Sequence, residues 1–206
     1  MVVLDNIEDR FSEFLNEKYF NELQKALREE KALVVDFSAL DRFDSGVADT
    51  LLEDPENILK AFRNAAKSIV FEKINVRIRN LPESRAIRIR NLRAKHIGKL
   101  WTIDAIVKSG SEVKPQIYEA SFKCPDCGTL ISVEQDMYVL QKPFVCECGR
   151  RGDFDFVEKK TFDIRWLSVI EPFEITEGEQ SGGISVYLKE DLTTPRMQRK
   201  TDPGNR

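Results

Sequence analysis

Two cysteine pairs, Cys124-Pro-Asp-Cys127 and Cys146-Glu-Cys148, carry all four cysteines of the chain, and 18 residues separate Cys127 from Cys146. Tetrahedral zinc takes four thiolates, and two close pairs supply two edges of the tetrahedron. The chain between the pairs must then fold back on itself. Gly128 and Gly149 follow the pairs, where a tight turn lets amides approach the sulfurs. Residues 129–145 read as the two strands of a ribbon hairpin. Two disulfides would need an oxidising compartment, and a thioredoxin-type site would need a single Cys-x-x-Cys at a helix start. Catalytic zinc would keep an open position. Four cysteines fill the shell, so one structural Zn2+ per chain is expected. Their confinement to one short segment points to a reducing, intracellular compartment.

The hydrophobic period changes once along the chain. Ile7, Phe11, Phe14, Leu15, Leu23, Ala26 and Leu27 recur at helical spacing, as do Ile58, Leu59, Phe62, Ala65, Ala66, Ile69 and Val70. Asp54-Pro55 has the form of an N-cap followed by proline at the first helical position. Ala32–Phe37 is a short apolar run suited to a strand. From Lys73 the period becomes two: Ile74, Val76 and Ile78 alternate with polar or basic residues, as do Ile87 and Ile89. Further strands are expected over 100–108, 116–123, 161–170 and 184–188, with a short turn or helix at 91–97. The β-region resumes after the cysteines, which makes them an insertion within a barrel. The fold class is α+β: a helical subdomain (1–71), a barrel (72–123 and 153–206) and an inserted zinc ribbon (124–152). The last residues, 193–206, are turn-rich and basic, which suits a mobile tail or a chain cut within a larger protein.

A net charge of −3 conceals segregation. Residues 1–60 hold 15 Asp/Glu against 7 Lys/Arg, a net of −8, whereas 73–99 hold 9 Lys/Arg against Glu83 alone, a net of +8. Such a block faces a polyanion or pairs with the acidic region beside it. Arg85, Arg88, Arg90 and Arg93 are its candidates for DNA or subunit contacts. The single histidine, His96, and the absence of G-x-S-x-G, G-x-x-x-x-G-K-[ST] and G-x-G-x-x-G leave no visible catalytic centre. No run of about 18 apolar residues suggests a membrane span, and residues 1–10 do not form a signal peptide. Binding and assembly are the expected tasks.

Several blocks resemble the N-terminal domain of archaeal MCM proteins, the replicative DNA helicases. They are Val76-Arg-Ile-Arg-Asn-Leu-Pro-Glu83, residues 89–107, Val113-Lys-Pro115, Ala120–Gly128, Ile170-Glu-Pro172, Tyr187-Leu-Lys-Glu-Asp-Leu192 and Pro203-Gly-Asn-Arg206. The resemblance implies a helical subdomain, an OB-type barrel with a zinc ribbon between its strands, and no ATPase motor in this chain. It implies single-stranded DNA as partner and homo-oligomers: hexamers or double hexamers joined through the ribbons, or an open helical array or monomers for a shortened chain. It implies a cytoplasmic, nucleoid-associated location. Lys114 matches a DNA-contacting position of the family, and Lys108 and Arg165 are basic neighbours able to substitute for others. The family's arginines fall on Ser109, Ser168 and Gly182 here, and Ala105 replaces a glycine. Two other functions stay open: an architectural module that assembles subunits and regulates a motor with little DNA affinity, and an unrelated zinc-ribbon nucleic-acid adaptor. Trp101, Tyr118 and Trp166 are candidates for stacking on bases or for the barrel core.

Overall fold

In a computed structural model, residues 2–29, 32–135, 139–176 and 180–206 are described. The chain forms two compact units, one of residues 1–108, 168–184 and 203–206, the other of 109–167 and 185–202. Among the described residues, no helix is long and apolar enough to cross a membrane.

The first unit begins with helices α1 (Val2–Lys18), α2 (Phe20–Glu29), α3 (Phe37–Phe43), α4 (Ser45–Glu53) and α5 (Pro55–Val70). Aspartates start three of them. Asp36 accepts from Ser38 N at 3.1 Å, Asp44 from Val47 N at 3.1 Å, and Asp54 from Asn57 N at 3.4 Å. Each carboxylate thereby satisfies an amide that the first turn would leave unpaired. Ile58, Ala61, Phe62, Ala65 and Ala66 form the buried stripe of α5, and Phe62 stacks on Phe11 with ring centroids 4.1 Å apart. Strand β1 (Ala32–Asp36) buries Leu33 and Val35 and pairs in parallel with β2 (Asn75–Arg79). Ile74 and Val76 join the same core, as their alternation predicted.

Ile87 and Ile89 do not form a strand. The chain runs through 3-10 turns at Glu83–Arg85, Ile89–Asn91 and Ala94–His96, with one bridge between Ala86 and Thr102. The cause is a competing acceptor: Arg90 N donates to Glu171 Oε1 at 3.0 Å, so its amide is taken from any ladder. The strand expected over 100–108 likewise starts late, as β3 (Ile106–Gly110).

The remaining strands are β4 (Lys114–Lys123), β5 (Leu130–Glu134), β6 (Asp155–Ile170) and β7 (Gly183–Lys189), followed by α6 (Pro195–Lys200). They make a five-stranded sheet in the order β3-β6-β4-β5, with β7 also on β6. Strand β4 is antiparallel to both β5 and β6, with irregularities at Ile117/Glu119 and Ser121/Phe122 in its pairing with β6. The hairpin expected within 129–145 is thus built differently. β5 pairs with β4, and the second cysteine turn contributes only the bridge Val145–Arg151. Pro143, lacking an N–H, suits this loss of a ladder. The final residues are held rather than loose. Val107 N donates to Asn205 O at 2.9 Å, Gly204 N to Val107 O at 2.8 Å, and Arg206 Nη2 to Asp104 Oδ2 at 2.6 Å. Arg206 holds the Asp104 carboxyl below its usual range.

Candidate metal centre and nucleic-acid face

The four cysteines converge. Their Sγ atoms all lie within 4.8 Å of one another, with Cys124 and Cys148 at 3.7 Å and Cys127 and Cys146 at 3.5 Å. A tetrahedral ion bound to four sulfurs at the usual zinc distance would place neighbouring sulfurs about 3.8 Å apart. The donor set fits a metal ion of the zinc kind. Backbone turns build it: Gly128 N donates to Cys124 O at 2.8 Å and Gly149 N to Cys146 O at 2.9 Å. Both glycines have positive φ, 75° and 89°, a conformation with little steric cost only for glycine. Thr129, by its hydroxyl and its backbone, pulls the Cys127 thiol down to about 6. At Cys146 the backbone of Cys148 works downward, but burial and the neighbouring thiols win and push it up to about 12. Four thiolates this close repel one another, and a bound dication would let them coexist.

Beneath the cysteines lies a small core of Ala120, Phe122, Cys124, Cys146 and Phe154, with Ile131 and Val133 packed on it. Phe122 also meets Phe156 edge to face at 5.9 Å. So few apolar residues would hardly order this segment alone, and a metal is the natural supplement.

The basic residues separate into free and engaged. Lys108 and Lys114 are exposed, and neither has an ion-pair partner among the described residues. Arg165 is only 7% exposed. It donates from Nε to Ser111 O at 2.9 Å, and from Nη1 to Thr201 Oγ1 at 2.8 Å and Gln198 O at 3.4 Å. It ties β6 to the segment before β4 and to the end of α6.

Within 85–93 the division is similar. Arg90 Nε donates to Glu171 Oε2 at 2.9 Å, where Glu171 is fully buried and also takes Gly182 N at 3.1 Å. Desolvation works to raise this carboxyl, but the Arg90 amide and guanidinium and the Gly182 amide hold it below the usual range. Arg85 packs over the Trp101 ring at 5.1 Å and pairs with Glu53, which Lys99 shares. Arg93 Nη1 donates to the carbonyls of Arg90 and Leu92, each at 2.7 Å. Arg88 is exposed, with no partner among the described residues. His96 accepts from Arg93 N at 2.9 Å through Nδ1, and its carbonyl takes the Trp101 indole at 3.0 Å. The lone histidine is therefore engaged in shaping a turn.

Gly182 leaves little room for a side chain. A Cβ at this position would sit 3.1 Å from Arg90 N and 3.3 Å from the Glu171 carboxyl carbon. The Arg90–Glu171 pair occupies the space from which a larger side chain would start. Glu171 itself was visible in the sequence only as part of Ile170-Glu-Pro172, and its partner lies 81 residues away.

Residues 88–206 match the MCM OB domain family, and residues 8–99 match the MCM N-terminal domain family. The chain belongs to the MCM family. Among curated proteins, this MCM chain is 29% identical to the minichromosome maintenance protein MCM of Saccharolobus solfataricus, over 89% of the chain and 31% of that protein. It is 24% identical to DNA replication licensing factor MCM6 of Oryza sativa subsp. indica, over 97% of the chain and 30% of that protein. It thus spans about a third of the length of these relatives. The crystal structure of the N-terminal domain of an archaeal MCM superposes with a TM-score of 0.71 at 26% identity, covering 98% of this chain and 85% of that one. The helical region followed by a β-region, expected from the change of period, and the OB type implied by the resemblance agree with these matches.

Proposed function

We propose that this chain is the DNA-binding and ring-assembly N-terminal part of an MCM-type replicative helicase, acting in DNA replication and carrying no ATPase motor of its own. Its segments are the helical subdomain (1–71), the OB barrel (72–123 and 153–206) and the ribbon (124–152), the last held by one structural Zn2+ on Cys124, Cys127, Cys146 and Cys148. The partners are single-stranded DNA and further copies of the chain, as hexamers or double hexamers, in a cytoplasmic, nucleoid-associated setting. The observation that supports the DNA reading is Lys114: an exposed cation on strand β4, within the region that matches the MCM OB domain, with no ion-pair partner among the described residues. Lys108 is exposed and available in the same way. Arg165 supports the site from within, through the bonds that order its neighbours.

A second reading has its own support. Arg85, Arg90, Arg93 and Arg165 spend their donors inside the chain, which favours an architectural module whose DNA contacts are few. Titrating single-stranded DNA against salt separates the two. Phosphate binding gives an affinity that falls steeply with salt. Lys114→Glu should weaken binding and flatten the slope by about one unit or more, with the thermal melt unchanged. An undetectable or salt-insensitive affinity in the unaltered protein would leave the architectural reading.

A further inference from the structure

Beside Lys114 the second unit contains a cavity of about 330 Å3. It is lined by Pro115 and Ile117 of β4, Ile164 and Trp166 of β6, and Leu140, with Lys114 among them. The register places Lys114 directly opposite Ile164, so cation and apolar surface are neighbours across the β4–β6 pair. The wall formed after β5 is fastened in place. Gln135 is buried, accepts from Gln141 N at 2.7 Å and donates to Gln141 O at 2.9 Å and Val133 O at 3.2 Å.

Trp166 is half-buried. Its backbone N–H donates to Ser111 Oγ at 3.1 Å, which fixes the start of the side chain. Its ring meets Tyr187 at 6.2 Å with a tilt of 59°, so Tyr187 does not lie flat against it. The indole Nε1–H has no acceptor among the described residues. The cavity therefore offers an aromatic side chain, apolar walls, the polar amide of Gln116 and one ammonium group. A complementary ligand is flat and aromatic, carries an acceptor on its edge, and has a negative charge attached. A nucleobase joined to its phosphate has each of these features. The volume lies at the low end of the roughly 300–1,000 Å3 typical of ligand sites, which suits one base.

We propose that this cavity is a base pocket: one base of single-stranded DNA enters it and stacks on Trp166, while the adjoining phosphate takes Lys114. The proposal rests on the DNA-binding reading above and adds that bases, besides phosphates, carry part of the affinity. Stacking on an aromatic side chain tolerates any base and owes little to salt, whereas the Lys114 contact is screened.

The test compares an oligothymidylate of about 20 nucleotides with an equally long abasic deoxyribose-phosphate chain, which keeps the charges and lacks the bases. Binding is read by fluorescence anisotropy with the whole chain. The intact protein should bind the oligothymidylate about 10-fold more tightly than the abasic chain. Trp166→Leu should remove that difference and leave abasic affinity unchanged, and Trp166→Phe should keep most of it. If Trp166→Leu does not fold, the wild-type comparison and Trp166→Phe decide. Equal, salt-sensitive binding of both polymers by the intact protein would overturn the base pocket and leave DNA binding standing. A preference for bases that survives Trp166→Leu would overturn it too. Failure to bind either polymer would remove the DNA-binding reading, and the pocket with it.

Discussion

Replacing Glu171 by glutamine changes almost no volume and removes one charge, so it isolates the contribution of the carboxylate. In the native chain Oε1 takes Arg90 N, and Oε2 takes both Arg90 Nε and Gly182 N. A glutamine keeps one acceptor oxygen and turns an NH2 group toward whichever donors the other oxygen served. At least one buried amide then faces another donor, at about 1–3 kcal/mol. Breaking a buried ion pair costs about 3–5 kcal/mol, but Arg90 is 22% exposed and recovers part of its hydration. A net loss of about 3 kcal/mol follows, which for a chain of this size lowers the melting temperature by about 6–12 °C. The Glu171 carboxyl titrates below its ordinary 4.5 in the folded state, so its contribution is complete above that value and fades as pH falls through the folded pKa. The gap between wild type and Glu171→Gln should accordingly narrow in acid. The assay is a set of thermal melts at several pH values, with a double-mutant cycle through Arg90→Met. A shift under about 2 °C, or strictly additive losses, would refute the reasoning.

Three further outcomes follow from the same structure. The protein should carry one zinc per chain by atomic emission, and a strong chelator should strip amide protection from β5 and both cysteine turns while the helices keep theirs; full protection after metal removal would count against a structural ion. Arg165→Lys, which loses the planar fork, should cost about 1–3 kcal/mol in a melt yet leave the salt slope of DNA binding as it was, the reverse of Lys114→Glu. Gly182→Ala must move Arg90 or Glu171 and should lower the melting temperature by several degrees, about 1–3 kcal/mol; an unchanged melt would mean that the loop relaxes freely.

What the sequence disclosed and what it hid differ in physical kind. The cysteine turns were legible because ligand chemistry sets their spacing, and α5 because Asp54, Pro55 and a single apolar stripe all agree. β6 and β7 showed their alternation. Ile87 and Ile89 alternate just as well, yet a carboxylate 81 residues on captures the Arg90 amide, and no local pattern reports that. Arg165 sits on a strand of alternating character, and only the positions of Thr201 and Gln198 show that it is enclosed. The cavity beside Trp166 depends on Leu140 and on the Gln135–Gln141 bonds, contacts of residues outside any strand that no periodicity reports. The pairing of β5 with β4 was missed because residues 129–145 contain enough apolar positions for two strands, while among the described residues only β5 finds a strand partner there.

That pairing has a mechanical consequence. β4 enters the first cysteine turn directly, since Lys123 pairs with both Leu130 and Asp155 immediately before Cys124. A metal seated on these sulfurs would thus sit at the end of a three-stranded girder instead of on a tether. A load applied at the metal end would be transmitted along β4 and β6 as shear on their hydrogen bonds, with little lost to bending. The yielding points would be the irregularities at Ile117/Glu119 and Ser121/Phe122, where the ladder slips register. A push on the ribbon should register at Lys114, at the far end of the same strand.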